Sequence, residues 1–485
     1  MFARHRRRVL AAAICLPLIA CLAPHAAMAQ QPSPASVQRF VGDWQGPLRV
    51  SGLALRLAFT FTVDSAGGLA GTLTSIDQGG VKLPVAVTVH GDSIRAESAP
   101  ARASFAGRLA AADSIDGAWS QGGQSFPLGL KRVAAVTVAR RPQEPRPPFP
   151  YRQEEVTFAS VPGVTMAGTL TIPEGAGPFP AVVLVTGSGP QDRDEELLGH
   201  KPFAVLADHL SRRGIAVLRY DDRGVARSTG SFAAATSADF AEDALAAVRY
   251  LRTRREVAPR KIGVAGHSEG GLIAPMVAVR DSGVAFLVLL AGTGVPGDSI
   301  LKMQGRLLAR AAGLSPEMIE LSARSQSRMY AAVREGGDST ALRARLRQIG
   351  TEMWAGMTEE QRRASQMTPA ALEASIAQIS SPWFRYFLTY DPRPTLRRVR
   401  VPVLALNGSR DLQVPPTEDL AAIAAALREG GNRDVRILEL PGLNHLFQTA
   451  TTGSPAEYAL IEETMSPAAL NAVSSWILER FGPAR

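Results

Sequence analysis

The chain has 485 residues, 46% hydrophobic and 20% charged, which is length enough for two or three globular domains. Of its formal charge of +9, four units come from Arg4, Arg6, Arg7 and Arg8. No long basic run follows them, so the balance reads as arginine-rich composition and not as a nucleic-acid surface. The only cysteines are Cys15 and Cys21, so beyond residue 21 a disulfide scaffold, a cysteine-built zinc site and thiolate catalysis are excluded.

Residues 1–29 have the form of a secretory signal. Arg4 to Arg8 make a charged start, 9–23 an apolar run too short to span a bilayer comfortably, and Ala27-Met28-Ala29 a small-residue cleavage site. This predicts an exported protein, periplasmic or secreted. Leu18-Ile19-Ala20-Cys21 offers a competing lipobox-like cleavage, which would leave a lipidated Cys21 and membrane association. Cleavage after Ala29 is the preferred reading.

Residues 36–135 are expected to form a small all-β domain, an antiparallel meander curled or closed like a barrel. The run 55–63 alternates with period two, and shorter runs follow at 69–73, 83–89, 104–109 and 126–130. Turn clusters such as Gln78-Gly79-Gly80 and Gln121-Gly122-Gly123 separate them. Trp44 and Trp119 are expected to plug its core. Residues 137–150 carry five prolines and read as a stiff interdomain linker.

The remainder, 151–485, alternates apolar strand-like runs with helical ones, after an opening hairpin at 156–158 and 166–172. Strands are expected at 181–186, 215–220, 262–265, 285–291, 403–406 and 435–440. Helices are expected at 202–213, 240–254, 417–427 and 467–480. Non-alternating strands between helices predict a mostly parallel sheet covered on both faces. Residues 298–380 break the rhythm as helix after helix, with Ser315-Pro316 and Thr368-Pro369 as start signals. This predicts a helical lid inserted in an α/β domain. Met303, Met318, Met329, Met353, Met357 and Met367 fall in it; their pliable side chains suit moulding to apolar substrates and ordinary helix packing equally.

The chemistry centres on Gly266-His267-Ser268-Glu269-Gly270, between a predicted strand and a helix. A serine hydroxyl becomes a nucleophile when a sharp turn lifts it clear of its neighbours and a base takes its proton. His445, on the loop after strand 435–440, is the candidate base. Asp411, just past strand 403–406, is the candidate acid. The order Ser268, Asp411, His445 is the one this strand–turn–helix arrangement uses. The oxyanion donors are expected to be the backbone N–H of Glu269 and of Ser188, with Gly189 second. His209 reads as a packing or surface residue and His200 as a weak candidate base. His267 is expected to point away from the serine.

Several further motifs accompany these residues: Thr186-Gly187-Ser188-Gly189-Pro190-Gln191-Asp192-Arg193-Asp194, Tyr220-Asp221-Asp222-Arg223-Gly224, Pro382-Trp383-Phe384, Gly408-Ser409-Arg410-Asp411 and Asn444-His445. On them, the stretch from about 154 to the end resembles the α/β-hydrolase superfamily, and within it the secreted EstD-type bacterial carboxylesterases. The resemblance implies hydrolysis of short- to medium-chain carboxylic esters with no cofactor and no metal. The partner is then a small-molecule ester and no nucleic acid, with no oligomeric state specified. Ala226 stands where that family's turn often carries glycine. The same residues would serve a peptidase or amide hydrolase, and a non-catalytic periplasmic glycan- or lipid-binding protein is the remaining alternative.

Overall fold

The computed structural model describes residues 34–50, 53–65, 67–365 and 368–482. The signal segment, Cys21 and Met367 lie outside them. After a short helix α1 (Pro34–Gln38) come nine strands: β1 (Gly42–Val50), β2 (Leu53–Val63), β3 (Leu69–Ser75), β4 (Val81–His90), β5 (Ser93–Ser98), β6 (Ala103–Ala111), β7 (Ser114–Gln121), β8 (Gln124–Pro127) and β9 (Leu130–Val133). They pair in the order β6-β5-β4-β3-β2-β1-β9-β7-β8, and a β6–β7 ladder closes the ring. The result is an eight-stranded antiparallel barrel with β8 hairpinned onto β7. Closure removes the free strand edges that would otherwise template aggregation.

Alternation builds the barrel's interior. Leu57, Phe59 and Phe61 of β2 point inward and meet Phe105 and Trp119, with the Phe59 and Phe105 rings 5.2 Å apart. Trp44 is fully buried and donates Nε1–H to the Phe40 carbonyl at 2.7 Å. Each such aromatic contributes roughly 1.5–3 kcal/mol through burial. The predicted strand 126–130 is corrected: it straddles the end of β8 and the start of β9. β1 was invisible to the period-two pattern because Gly42, Gly46 and Pro47 interrupt it, yet it pairs with β2 along its whole length.

The second sheet has eight strands: β10 (Tyr151–Ala159), β11 (Thr165–Pro173), β12 (Phe179–Val185), β13 (Ala216–Tyr220), β14 (Val257–His267), β15 (Phe286–Leu290), β16 (Val403–Gly408) and β17 (Val435–Leu440). Their order is β10-β11-β13-β12-β14-β15-β16-β17. The β10–β11 and β11–β13 pairs are antiparallel and the rest parallel, the α/β-hydrolase arrangement. Helices α2 (Pro202–Ser211), α3 (Ser237–Arg252) and α4 (Glu269–Arg280) connect the early strands. β12 shows why the strands are apolar throughout. Val182 and Leu184 face one core with Phe203 and Trp476, while Val183 and Val185 face the other with Phe240 and Leu272. Helices on both faces leave no polar side for alternation to mark.

Between β15 and β16 lie α5 (Gly297–Ala311), α6 (Pro316–Glu335), α7 (Ser339–Ala355), α8 (Glu359–Ser365), α9 (Pro369–Ile379), α10 (Pro382–Thr389) and α11 (Arg393–Leu396). Ser315 and Thr368 cap α6 and α9 as their sequence suggested, accepting from the N–H of Met318 and Ala371. The insertion has its own small core around Tyr330, Leu346, Ile376 and Phe384. Met318 and Met357 are buried, and Met303 and Met329 pack against the cores. Packing therefore accounts for these four thioethers. After β16 come α12 (Pro416–Glu429), α13 (Pro455–Tyr458) and α14 (Pro467–Phe481).

Residues 134–150 join neither sheet but lie against the α/β unit. Arg141 donates to the carbonyls of Leu198, Ala459 and Ile461 at 2.9–3.0 Å. Gln143 exchanges hydrogen bonds with Met465 and accepts from Thr464 N–H. The segment thus spans two loops that flank the C-terminal ends of the parallel strands.

Candidate active site

β14 runs into the turn at Ser268, and α4 begins at the next residue. Ser268 has φ 53° and ψ −113°, a left-handed backbone for a non-glycine residue. Such a conformation costs roughly 1–3 kcal/mol and persists only where the surroundings impose it. Here they do. A Cβ on Gly266 would lie 1.9 Å from the Gly270 carbonyl oxygen, and one on Gly270 would lie 2.1 Å from that of Val185. Only glycine lets β14, α4 and β12 approach this closely. Ser268 N–H donates to Leu290 O at 2.8 Å, which ties the turn to β15.

Asp411 follows β16 and is buried. Its Oδ1 accepts the N–H of Gln413 at 2.8 Å and of Val414 at 2.9 Å, and its Oδ2 faces His445 Nδ1 at 2.7 Å. Holding the imidazole hydrogen on Nδ1 leaves the Nε2 lone pair free, the state a general base requires. The loop after β17 that carries His445 is braced by Asn444, whose Oδ1 accepts from the N–H of Leu446 and Gln448, both at 3.0 Å. The His445 ring lies 4.8 Å from that of His267, the residue before the serine. Among the described residues no hydrogen bond joins Ser268 to His445.

The turn after β12 abuts Ser268: a Cβ on Gly187 would stand 3.3 Å from Ser268 Cβ. Gly187 N–H is taken by Glu195 Oε1 at 2.7 Å. The N–H groups of Ser188, Gly189 and Glu269 have no backbone acceptor among the described residues. Thr186 and the N–H of Gln191 bind Asp222, and Arg193 forms a two-point pair with Asp221 at 2.7–2.9 Å. The two sequence motifs after β12 and β13 are therefore one interlocked structure. Ala226 has φ 45°, so the alanine occupies a position that favours glycine.

The His267 ring lies against the loop that carries His445: Nδ1 meets Glu195 Oε1 at 2.9 Å and Nε2 meets the His445 carbonyl at 3.0 Å. Burial pulls its pKa down, but the charge and hydrogen bond of Glu195, the His445 carbonyl and Asp411 together raise it on balance. His200 is fully buried against Thr464 and the Tyr458 carbonyl, and its pKa is pulled down to about 4, chiefly by burial. His209 bonds Ser474 of α14, a packing role. Sequence reasoning missed Glu195, and it missed what the Glu269 side chain does. Glu269 Oε1 accepts from Ser237 Oγ at 2.6 Å and from Trp383 Nε1 of α10 at 2.8 Å. Burial raises its pKa, against the lowering effect of those two bonds. Among the described residues no three His, Cys, Asp or Glu side chains are grouped to hold a metal ion.

The family described as X-Pro dipeptidyl-peptidase (S15 family) matches residues 162–437, more than half of the chain. The chain belongs to the S15 family. This S15-family chain is also 28% identical over 313 residues to the esterase EstD of Thermotoga maritima, a match covering 64% of each protein. It thus spans a little under two thirds of that esterase's length. Among solved structures, the α/β hydrolase GrgF from Penicillium sp. sh18 aligns with TM-score 0.43 and 17% identity, over 68% of this chain and 99% of that one. The Pyrococcus furiosus esterase PF2001 aligns with TM-score 0.42 and 14% identity, over 72% and 99%. The chain is thus similar to an esterase and falls within a family described by a peptidase.

Proposed function

We propose that this protein hydrolyses carboxylic esters of short- to medium-chain acids through an acyl-enzyme on Ser268. The observation that carries the reading is the strained Ser268 turn beside a buried Asp411–His445 pair. His445 Nε2 takes the Ser268 proton as Oγ attacks the ester carbonyl. The oxyanion forms against the N–H groups of Ser188 and Glu269, each worth ~3–4 kcal/mol in such sites. His445 then protonates the leaving alcohol, and afterwards takes a proton from the water that cleaves the acyl-enzyme. Asp411 stays ionised and stabilises the imidazolium. The protein is proposed to act after export, with residues 1–29 removed, and to associate with a membrane only if Cys21 is lipidated.

The family match favours a second reading, a peptidase that takes an X-Pro amino terminus. Near the serine, Glu195 Oε1 accepts from Gly187 and meets His267, and Glu269 Oε1 accepts from Ser237 and Trp383. The likeness to the esterase EstD supports the ester. The test is a p-nitrophenyl ester series of two to twelve carbons run beside X-Pro p-nitroanilides, with fluorophosphonate labelling of wild type and Ser268→Ala. Ester turnover and labelling should both vanish in the variant, with turnover down ~10⁴-fold or more. Turnover surviving in Ser268→Ala rejects the nucleophile; preference for the anilide rejects the ester.

A further inference from the structure

Three separate loops must hold register for this site to work: the turn after β12, the elbow at Ser268 and the loop carrying His445. The acid–base pair fixes only the side-chain end of the last. Glu195 and His267 touch all three. Glu195 Oε1 takes Gly187 N–H from the first loop, and His267 belongs to the elbow. His267 Nε2 reaches the backbone carbonyl of His445 in the third. Both side chains are buried, and Glu195 carries φ 52°, a left-handed backbone that a non-glycine residue adopts only under constraint.

We infer that Glu195 and His267 form a buried carboxylate–imidazolium pair that acts as a positioning unit, holding the oxyanion turn and the base loop against the nucleophile elbow. The inference rests on the hydrolase reading of this site. The charge follows from hydrogen-bond capacity. A backbone carbonyl cannot donate, so Nε2 must carry hydrogen. The Glu195 oxygen facing Nδ1 already accepts an N–H, and with Glu195 ionised, as the proposed pair requires, it can only accept again. Both ring nitrogens are then donors, and His267 is a cation. The charged and titratable groups around it are Glu195, the Asp411 carboxylate and the ring of His445. Glu195 has a second consequence. By occupying Gly187 N–H, it leaves the N–H groups of Ser188 and Gly189 as the donors of that turn for a developing oxyanion.

The test has a spectroscopic arm and a kinetic arm, both on the whole chain. In protein labelled with ¹⁵N-histidine, the His267 ring, assigned by its loss in His267→Asn, should show two protonated nitrogens at pH 8. Glu195→Gln keeps an oxygen for Gly187 N–H but removes the charge. It should reduce the ring to one protonated nitrogen and lower kcat about tenfold with KM within twofold. Glu195→Ala also frees the turn and should lower kcat ~10²-fold or more, the scale of losing an oxyanion donor. If Glu195→Ala does not fold, the near-isosteric Glu195→Gln carries the kinetic arm. A single protonated ring nitrogen in folded wild type overturns the charged pair. Variants that fold and turn over within threefold of wild type overturn the positioning role. A wild type inert to both fluorophosphonate and esters, with two ring hydrogens on His267, sinks the hydrolase reading and with it the role in turnover, while the ion pair stands.

Discussion

Asp419 offers a pH-dependent prediction that the fold itself sets up. It lies in the first turn of α12, fully buried, and its Oδ1 accepts Gly294 N–H at 2.7 Å and Val295 N–H at 3.3 Å. Those residues lead from β15 into α5, so the carboxylate clamps the root of the helical insertion. Oδ2 is buried with no partner among the described residues. Burial is the main cause that pushes its pKa up to about 7, aided by the charges of Asp411 and Glu418 and opposed by the two N–H bonds. The ordinary value is 3.8. A folded pKa above the unfolded one means that the native state binds the proton more tightly. The stabilisation is therefore fully present below about pH 4 and lost as pH rises through about 7. Roughly two units of that shift lie above pH 5, and at ~1.36 kcal/mol per unit the swing between pH 5 and pH 8.5 is ~3 kcal/mol. Asp419→Asn cannot ionise. It keeps an oxygen for Gly294 and Val295 but buries an amide donor without an acceptor, at a pH-independent cost of ~1–3 kcal/mol. Urea denaturation of both proteins from pH 5 to pH 8.5 should find the variant weaker at pH 5 and level with or above wild type at pH 8.5. A stability difference that stays constant over that range would refute the reasoning.

Other expectations concern the catalytic set and the backbone. Asp411→Asn should leave the fold intact, because the N–H bonds of Gln413 and Val414 still find an oxygen, but should lower ester kcat by ~10⁴-fold through the wrong imidazole tautomer; retention of a tenth of wild-type kcat would contradict this. Gly270→Ala places a methyl 2.1 Å from a backbone oxygen of β12, where neither side can yield, so soluble expression should collapse, and a folded variant with wild-type melting would overturn the close-packing argument. Ala226→Gly relieves a left-handed alanine worth ~1–2 kcal/mol and adds back ~0.5–1 kcal/mol of chain entropy, for a net gain of ~0.5–1 kcal/mol, measurable as a higher urea midpoint with unchanged slope.

The sequence made the parallel sheet legible because burial on both faces writes itself as unbroken apolar runs. The predicted strand 435–440 is β17 to the residue, and the predicted strand at 285–291 overlaps β15 almost entirely. Ends were less legible where the partner strand decides. β14 starts at Val257, five residues before the apolar run, because Val257 pairs with Phe179 across an irregularity that no local pattern signals. The start of α3 is set by Thr236 and Asp239, which cap it reciprocally before its first large apolar residue. Asp411 and His445 could be chosen from their place after strands. The direction of the His267 ring could not, because it depends on Glu195, 72 positions earlier.

What stayed hidden has a common physical cause. Loops at the C-terminal ends of parallel strands carry N–H groups that no ladder satisfies, and a buried donor without an acceptor costs about 1–3 kcal/mol. This chain answers with buried acids that each cross-brace two distant segments. Asp222 ties the turn after β12 to that after β13, Asp419 ties the root of α5 to α12, and Glu195 ties the oxyanion turn to the elbow. A carboxylate can accept from several donors at once, which amides and hydroxyls do less well. Its partner can be any loop the fold brings near, so spacing along the chain says nothing of the pairing. Glu269 extends the logic to the helical insertion. Its side chain holds Trp383 of α10 while its own N–H is the proposed oxyanion donor, so any displacement of α10 pulls on the residue next to Ser268. The insertion and the proposed oxyanion site are thereby linked through one residue rather than through the general packing of the insertion.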